Sequence, residues 1–162
     1  MCGIYGSVNL AGAPLRDPAA ILQMELALWH RGPDTGGHLE ATDAILGSRR
    51  LSIVDLSTEA NQPFSSPDGK VWIVCNGEIY NAPEPRGRYA TQGYPVRTDH
   101  NDVEPILPLY LEHGEDAIGR LDGMFGLAIW DQRTRRLILA RDRAGEKPLF
   151  FSEQGGELRF AS

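Results

Sequence analysis

Hydrophobic and polar positions along the chain predict many short strands. Small residues alternate with larger apolar ones over residues 2–8, a pattern typical of a strand in a crowded environment. Apolar and β-branched runs predict further strands at residues 44–46, 51–54 and 71–75. Four more are expected in the last quarter, as one meander of consecutive strands: residues 124–130, 137–141, 148–152 and 158–161.

Helical periodicity marks the segment after Asp17. Asp17 suits an N-cap and Pro18 suits a first helical position. Apolar residues at positions 22, 26 and 29 then recur with helical spacing. We therefore predict a helix to about residue 30, followed by a loop over residues 30–34.

A second apolar face is formed by positions 103, 106, 107, 110 and 111. Pro108 interrupts this face, and an interior proline loses a backbone hydrogen bond at a cost of about 3 kcal/mol. The helix is therefore expected to start late or to bend. A short helix should follow at residues 115–121, whereas the polar segment 82–98 is expected to be a loop.

Numerous strands with two or three helices predict an α+β protein whose stacked antiparallel sheets carry helices on their outer faces. The 162 residues fit one domain. The net charge is −6, and no cluster of Lys and Arg predicts a surface for nucleic acid or for anionic membranes. Neither a signal peptide nor a membrane span is evident. We therefore expect a cytoplasmic protein with its two cysteines, Cys2 and Cys75, reduced.

Cys2 is the first candidate for chemistry. Removal of Met1, which a small second residue favours, leaves Cys2 with a thiol beside a free α-amino group. That amine has a pKa of about 7.7–8.0, so it can act as general base for its own side chain, directly or through one water. The alternative is that Cys2 only packs as a small hydrophobic residue. Cys75 ends an apolar strand and is expected to be buried and inert.

Asn76 and Gly77 have two interpretations. An Asn-Gly pair directly after a strand predicts a hairpin turn. The same pair can form an oxyanion hole, because Asn supplies a side-chain N–H and Gly allows close approach of a backbone N–H. Losing one such donor typically costs about 2.7–4 kcal/mol of transition-state stabilisation.

Arg50, Glu78 and Asp102 fit the recognition of a free amino acid. An arginine fork suits the α-carboxylate, and carboxylates suit the α-ammonium. Taken singly, each residue fits a solvated surface charge equally well. The four histidines lack the spacing of metal ligands, and residues 99–102 lack the Gly and Glu of a calcium loop, so no metal site is expected.

Six motifs, in this order, resemble the glutaminase domain of class II glutamine amidotransferases, in the asparagine synthetase (glutamine-hydrolysing) branch. The resemblance covers nearly the whole chain. The motifs are Met1-Cys2-Gly3-Ile4, His30-Arg31-Gly32-Pro33-Asp34, Arg50-Leu51-Ser52-Ile53-Val54-Asp55, Asn76-Gly77-Glu78-Ile79-Tyr80-Asn81, Gly123-Met124-Phe125 and Arg141-Asp142-Arg143-Ala144-Gly145-Glu146-Lys147-Pro148-Leu149.

The resemblance implies an N-terminal-nucleophile hydrolase fold, a four-layer α/β/β/α sandwich with two antiparallel sheets. It also implies that Cys2 attacks the side-chain amide of L-glutamine, releasing ammonia and leaving a thioester that water hydrolyses to L-glutamate. The other implied roles concern one substrate pocket: Asn76 and Gly77 at the oxyanion, Arg50 with the backbone of Ile53 and Val54 at the α-carboxylate, and Glu78 and Asp102 at the α-ammonium.

Two departures from the family pattern stand out. Asn101 occupies a position where the family has Ser or Thr, and Pro105 follows the motif, so the local helix start stays open. The family also continues past Ser162 into a synthetase domain that binds ATP and Mg²⁺. We expect no cofactor in residues 1–162, and we expect the ammonia to pass to that missing domain or to a separate subunit. Three alternatives are open for the chain: an excised domain, a stand-alone glutaminase or a subunit whose synthetase partner is a separate chain.

The sequence leaves two alternatives to glutamine hydrolysis. A non-catalytic module could bind glutamine or dock on a partner without turnover, and retention of Met1 would favour it. Another N-terminal-nucleophile amidase is disfavoured, because Arg50 with two carboxylates suits a free amino acid better than an acyl chain. The mass of the intact N-terminus separates the first alternative from the enzyme.

Overall fold

The computed structural model of the protein describes residues 2–53 and 55–162. Within these residues the strands are β1 Gly3–Asn9, β2 Thr35–Ala41, β3 Ala44–Arg50, β4 Phe64–Ser65, β5 Val71–Ile79, β6 Gly123–Asp131, β7 Arg136–Arg141, β8 Phe150–Gln154 and β9 Glu157–Ala161. The α-helices are α1 Ala19–Ala27, α2 Pro83–Thr91 and α3 Ile106–His113. Short 3-10 helices cover Trp29–Arg31, Thr58–Ala60 and Gly114–Arg120.

The strands form two antiparallel sheets. The five-stranded sheet has the order β2-β3-β1-β9-β8, and the four-stranded sheet has the order β4-β5-β6-β7. The expected single meander over the last quarter is therefore wrong, because β6 and β7 lie in one sheet while β8 and β9 lie in the other. After β7 the Asp142 carboxylate accepts N–H groups from Glu146 (2.9 Å) and Lys147 (3.0 Å), and this turn directs the chain across to the second sheet.

Four layers result from the packing of these sheets. The two inner faces enclose a buried core that includes Ile4, Leu46, Val74 and Trp130. Helix α1 covers the outer face of the five-stranded sheet, and α2 and α3 cover the outer face of the four-stranded sheet. The predicted α+β sandwich, with helices outside two antiparallel sheets, is confirmed.

Close packing explains the alternation of small and large residues in β1. Tyr5 points outward to α1, whereas Ile4 and Val8 point inward to the second sheet. A Cβ on Gly6 would lie 2.6 Å from the ring of Phe160. The strand therefore needs glycine where a large ring from a neighbouring strand crosses it.

Helix α1 exposes the residues whose spacing predicted it. Asp17 lies ahead of the helix, and its carboxylate accepts the N–H of Ala20 (3.1 Å). Leu22, Leu26 and Trp29 are 57%, 54% and 52% exposed. Contact with the sheet is made instead by the neighbouring face, which carries the buried Ile21. The pattern identified the helix correctly and its buried face incorrectly.

The expected loop at residues 82–98 is partly wrong, because α2 occupies Pro83–Thr91. Prolines 83 and 85 both lie in its first turn, where N–H groups have no partner within the helix. Burial of Pro85 and Tyr89 stabilises a segment whose composition is poor for a helix. Tertiary packing here outweighs local propensity.

The late start predicted for the helix around Pro108 is confirmed. Helix α3 begins at Ile106, so Pro108 falls in the first turn and removes no internal hydrogen bond. Ahead of it, the Asn101 side chain accepts the N–H groups of Val103 (2.9 Å) and Glu104 (3.1 Å). Asn101 thus caps the turn that follows it and leads into α3, as Ser or Thr can.

Two sequence expectations about strands were inaccurate. Residues 51–53 lie outside any strand, and Val54 lies outside the described residues. The edge strand β2 was not predicted, because its composition, with two glycines and charged residues, resembles that of a loop. No helix in the described part of the chain is long and apolar enough to cross a membrane.

Leu46→Ala and Leu22→Ala should differ sharply in their effect on stability. Leu46 is fully buried between the sheets, so its truncation should lower the free energy of unfolding by about 2–5 kcal/mol. Leu22 is exposed, so the matched change should stay within about 0.5 kcal/mol of wild type. Urea denaturation measures both, and a large loss at Leu22 would contradict the observed orientation of α1.

Candidate active site

A cavity of ≈180 Å³ lies where one end of each sheet meets the loops that follow. Seven residues singled out in the sequence line it together: Cys2, Arg50, Ile53, Asn76, Gly77, Glu78 and Asp102. The remaining predicted substrate-binding residue, Val54, lies outside the described residues. Residues from both sheets and from the turn before α3 thus share one cavity.

Strand pairing places Cys2 beside Arg50. Strands β1 and β3 are antiparallel with Gly3 opposite Arg49, so the residue before Gly3 and the residue after Arg49 are neighbours. Cys2 is half-buried, and its Sγ lies 3.8 Å from the carbonyl oxygen of Leu51. Its thiol therefore lies at the cavity wall, near the loop that follows β3.

Asn76 points from the second sheet toward Cys2. Strand β5 continues through Asn76 to Ile79, so the hairpin-turn interpretation of Asn76 and Gly77 is wrong. Side chains alternate along a strand, and Asn76 shares the inward face with Val74. With its amide oriented to satisfy its neighbours, Asn76 donates Nδ2–H to the Cys2 carbonyl (2.9 Å) and accepts from the Arg31 guanidinium (3.1 Å) at Oδ1.

Gly77 is required by the close approach of β6. A Cβ at this position would lie 2.0 Å from the carbonyl oxygen of Met124. Gly123 faces the same constraint from the other strand, because its Cβ would lie 2.2 Å from the carbonyl oxygen of Glu78. Glycine on both strands brings their backbones together at the cavity.

The backbone N–H of Gly77 points away from β6. Gly77 is opposite Phe125, whose N–H (3.2 Å) and carbonyl (2.8 Å) are both hydrogen-bonded to Asp142 on the far side. Gly77 and Phe125 therefore form a non-hydrogen-bonded pair. On the same side of β5 as the Gly77 N–H, the Ile79 N–H bonds the Asp102 carboxylate (2.7 Å).

Cys75 faces away from the inter-sheet layer, into the core beneath the helices. It is buried, as expected. Burial, with smaller contributions from the charges of Asp102 and Cys2, raises the pKa of the Cys75 thiol well above its ordinary value. The side-chain alternation of β5 therefore directs this buried thiol toward the helical layer, although Cys75 is also one of the residues that line the cavity with Cys2, and its inertness stays a prediction.

Arg50 is a buried cation with neutral partners. Its Nη1 donates to the Ser57 carbonyl (2.8 Å) and to the Asn61 side-chain oxygen (2.7 Å), and its Nη2 donates to the Asp55 carbonyl. Within the part of the chain that the structure describes, no ion pair of Arg50 with a carboxylate is formed. The guanidinium keeps a positive charge that an anionic ligand in the cavity can neutralise.

Glu78 and Asp102 place negative charge at another part of the wall. Glu78 is exposed, whereas Asp102 is partly buried in the turn before α3. Burial raises the pKa of the Asp102 carboxyl, and the nearby Glu78 charge raises it further, against the lowering effect of the Ile79 N–H. The two carboxylates can share one cation.

The cavity is also lined by residues that the sequence did not mark as functional: Leu51, Asp55, Gln62, Cys75, Asn101, Val103, Met124 and Lys147. Lys147 is buried, and its backbone N–H donates to the Asp142 carboxylate. Asp55 and Lys147 lie within motifs that carry the family resemblance, and membership of these motifs is the sequence signal that could have marked them as functional. Gln62 lies in an irregular segment before Pro63, and no motif pointed to it.

Among residues 2–53 and 55–162, no three His, Cys, Asp or Glu side chains converge closely enough to hold a metal ion.

The whole chain is similar in sequence to one family model and to several curated proteins. Residues 1–162 match the glutamine amidotransferase domain family. The chain is 39% identical over its whole length to asparagine synthetase [glutamine-hydrolyzing] 1 of Bacillus subtilis, and covers 26% of that protein. It is 40% identical over its whole length to the amidase chyE of Penicillium rubens, and covers 25% of it. The chain thus spans about a quarter of the length of these relatives.

The fold has a solved counterpart. Glutamine phosphoribosylpyrophosphate amidotransferase from Bacillus subtilis superimposes with a TM-score of 0.73 at 20% sequence identity, covering 99% of this chain and 41% of that one. At this identity the likeness concerns the fold alone.

Asp102→Asn should change how stability depends on pH. Because burial raises the Asp102 pKa above its ordinary value of 3.8, the protonated carboxyl stabilises the fold at low pH, and this contribution is lost as the pH rises through the folded-state pKa. As the pH rises from the ordinary Asp pKa of 3.8, the free energy of unfolding of wild type should fall relative to that of the variant until Asp102 is fully ionised in the folded state. Urea denaturation across this range measures the difference, and parallel pH profiles would contradict burial of the charge.

Proposed function

The chain belongs to the class II glutamine amidotransferases, and from this membership we propose that it hydrolyses L-glutamine to L-glutamate and ammonia. The observation that carries the proposal is the convergence of Cys2, Arg50, Asn76 and Gly77 on one cavity. Cys2 directly precedes β1 and Arg50 ends β3 in one sheet, whereas Asn76 and Gly77 lie in β5 of the other. A nucleophile, a carboxylate-binding cation and two candidate oxyanion donors are the groups that this reaction needs.

Catalysis begins with a chain from which Met1 has been removed. The α-amine of Cys2 takes the thiol proton, and Sγ forms a bond to the side-chain carbonyl carbon of glutamine. The ammonium group then returns the proton to the departing nitrogen, so that ammonia leaves and a glutamyl thioester remains. Water, activated by the same amine, attacks the thioester and releases glutamate with the thiol restored.

Asn76 and Gly77 stabilise the oxyanion of each tetrahedral intermediate. Nδ2 of Asn76 has two hydrogens, and its contact with the Cys2 carbonyl uses one of them. The Gly77 N–H points toward the side of β5 that β6 does not cover. Both donors are held by strand backbone, so little reorganisation accompanies charge development.

The substrate's zwitterionic end is recognised by opposite charges. Arg50, with the backbone of Ile53 and Val54, binds the α-carboxylate, and Glu78 with Asp102 binds the α-ammonium. This arrangement favours a free amino acid over an acyl amide, because a neutral acyl chain would give the buried Arg50 guanidinium no hydrogen-bonded anion.

The released ammonia passes to a synthetase domain or to a separate subunit, in an ATP-dependent amidation of the asparagine synthetase type. This part of the proposal is supported by the names of the relatives and by their length, about four times that of the matched segment. ATP and Mg²⁺ belong to that partner. The glutaminase step itself takes its nucleophile, base and oxyanion donors from the chain.

Cys2→Ala should abolish ammonia release from L-glutamine, by at least about 10³-fold, because it removes the nucleophile. The assay uses protein whose intact mass confirms that Met1 is absent. A reactive glutamine analogue should label the N-terminal peptide and leave the peptide with Cys75 unmodified. Activity that survives in Cys2→Ala would disprove the mechanism, and glutamine binding without turnover by wild type would favour the non-catalytic module.

Arg50→Lys should reduce kcat/KM for L-glutamine by about tenfold or more, since lysine keeps the charge but loses the bidentate fork. The control substrate is the α-carboxamide of glutamine, which has no α-carboxylate. General disturbance of the loop would slow both substrates equally, whereas loss of carboxylate recognition should affect L-glutamine far more. Equal losses would contradict the assigned role.

A further inference from the structure

The Gln62 side chain lies beside β5, where a residue of a longer β4 would otherwise pair. Strand β4 pairs with β5 at Ile73 and Trp72, and toward Cys75 this pairing goes no further. Beyond it, the Gln62 side chain donates from Nε2 to the Cys75 carbonyl (3.0 Å) and accepts the Cys75 N–H at Oε1 (2.6 Å). One side-chain amide thus makes the two hydrogen bonds that a neighbouring strand residue would make.

Gln62 is itself firmly held. It is buried, and its backbone carbonyl accepts the Ser48 hydroxyl (3.1 Å) from β3 in the other sheet. Gly37 in β2 leaves room for this carbonyl, because a Cβ there would lie 2.6 Å from it. The residue therefore connects the sheet that carries Arg50 to the strand that carries Asn76 and Gly77.

The backbone of β5 is held on both sides of Gly77. Along the edge that faces away from β6, the Cys75 N–H is bound by Gln62 and the Ile79 N–H is bound by Asp102. The Gly77 N–H lies between these two points on the same edge and at the cavity. A shift at Cys75 is transmitted within one or two residues to both candidate oxyanion donors.

We infer that Gln62 is a positioning residue for the oxyanion hole: by binding the backbone of Cys75, it fixes Asn76 and Gly77 relative to Cys2. The inference rests on the proposed glutaminase function. Gln62 acts through the backbone of β5 and not on the α-carboxylate or α-ammonium subsites, so its loss should impair the chemical step more than substrate binding.

Gln62→Met, which is close in size but lacks both hydrogen-bonding groups, should lower kcat for L-glutamine about 10- to 100-fold with KM little changed. The matched control is Gln92→Met, an exposed glutamine at the end of α2 outside the cavity, which should retain wild-type kcat. Both variants are assayed at a temperature at which circular dichroism shows them folded. A folded Gln62→Met with wild-type kcat would overturn the inference.

Gln62→Glu adds a readout that a purely structural role would not move. A protonated carboxyl can donate to the Cys75 carbonyl and accept from the Cys75 N–H, whereas a carboxylate can only accept. The ratio of kcat in Gln62→Glu to kcat in wild type should therefore increase as the pH is lowered from about 8 to about 5. A ratio that is constant with pH would contradict the dependence on both hydrogen bonds.

Amide hydrogen exchange tests the same contact without turnover. In Gln62→Met the Cys75 N–H should exchange faster, while the Val74 and Asn76 N–H groups, which alternate toward β6, should keep their protection. Unchanged exchange at Cys75 would show that Gln62 does not hold the strand. If wild type releases no ammonia, the proposed function fails. Hydrogen exchange at Cys75 still reports on the contact with Gln62, so the two failures can be distinguished.

Discussion

Strand β4 pairs with β5 at two residues, Ile73 and Trp72, and the candidate site is built on the edge that this short pairing leaves open. A backbone edge presents N–H groups at every second residue, and buried N–H groups need partners. The Gln62 side chain accepts the N–H of Cys75, and the Asp102 carboxylate accepts the N–H of Ile79. Gly77, between them, directs its N–H to the cavity, where an oxyanion would accept it in the proposed glutaminase reaction.

Two periodicities bring the reacting groups together around that edge. The alternation of side chains in β5 directs Asn76 inward to Cys2 and Cys75 outward to the helical core, so adjacent side chains point to opposite faces of the sheet. The antiparallel register of β1 and β3 sets Cys2 beside Arg50. Glycines at 77 and 123 let β5 and β6 approach closely at the same end. The constellation thus depends on main-chain pairing more than on flexible loops.

Charge is distributed across the cavity in a way that suits a small zwitterion. Arg50 is buried among carbonyl and amide oxygens, which orient the guanidinium without neutralising it. Asp102 is partly desolvated, and its charge is further disfavoured by Glu78, so an ammonium group near the two would relieve an existing electrostatic cost. Free amino acids meet both requirements, whereas simple acyl amides meet neither.

The sequence by itself determined the elements with strong local signals and the residues within recognisable motifs. It predicted β1, β5, β6, β7, β9 and the late start of α3, and it named seven residues that share the cavity. It could not determine which face of α1 is buried, the division of the last four strands between two sheets, or the helix at Pro83–Thr91, because these depend on contacts far away in the chain. The two interpretations of Asn76 and Gly77 were decided only when β5 was seen to continue past them. Gln62 could not be identified from the sequence for the same reason. Its partner is the backbone of Cys75, 13 residues away, and only the folded chain brings the two within hydrogen-bonding distance.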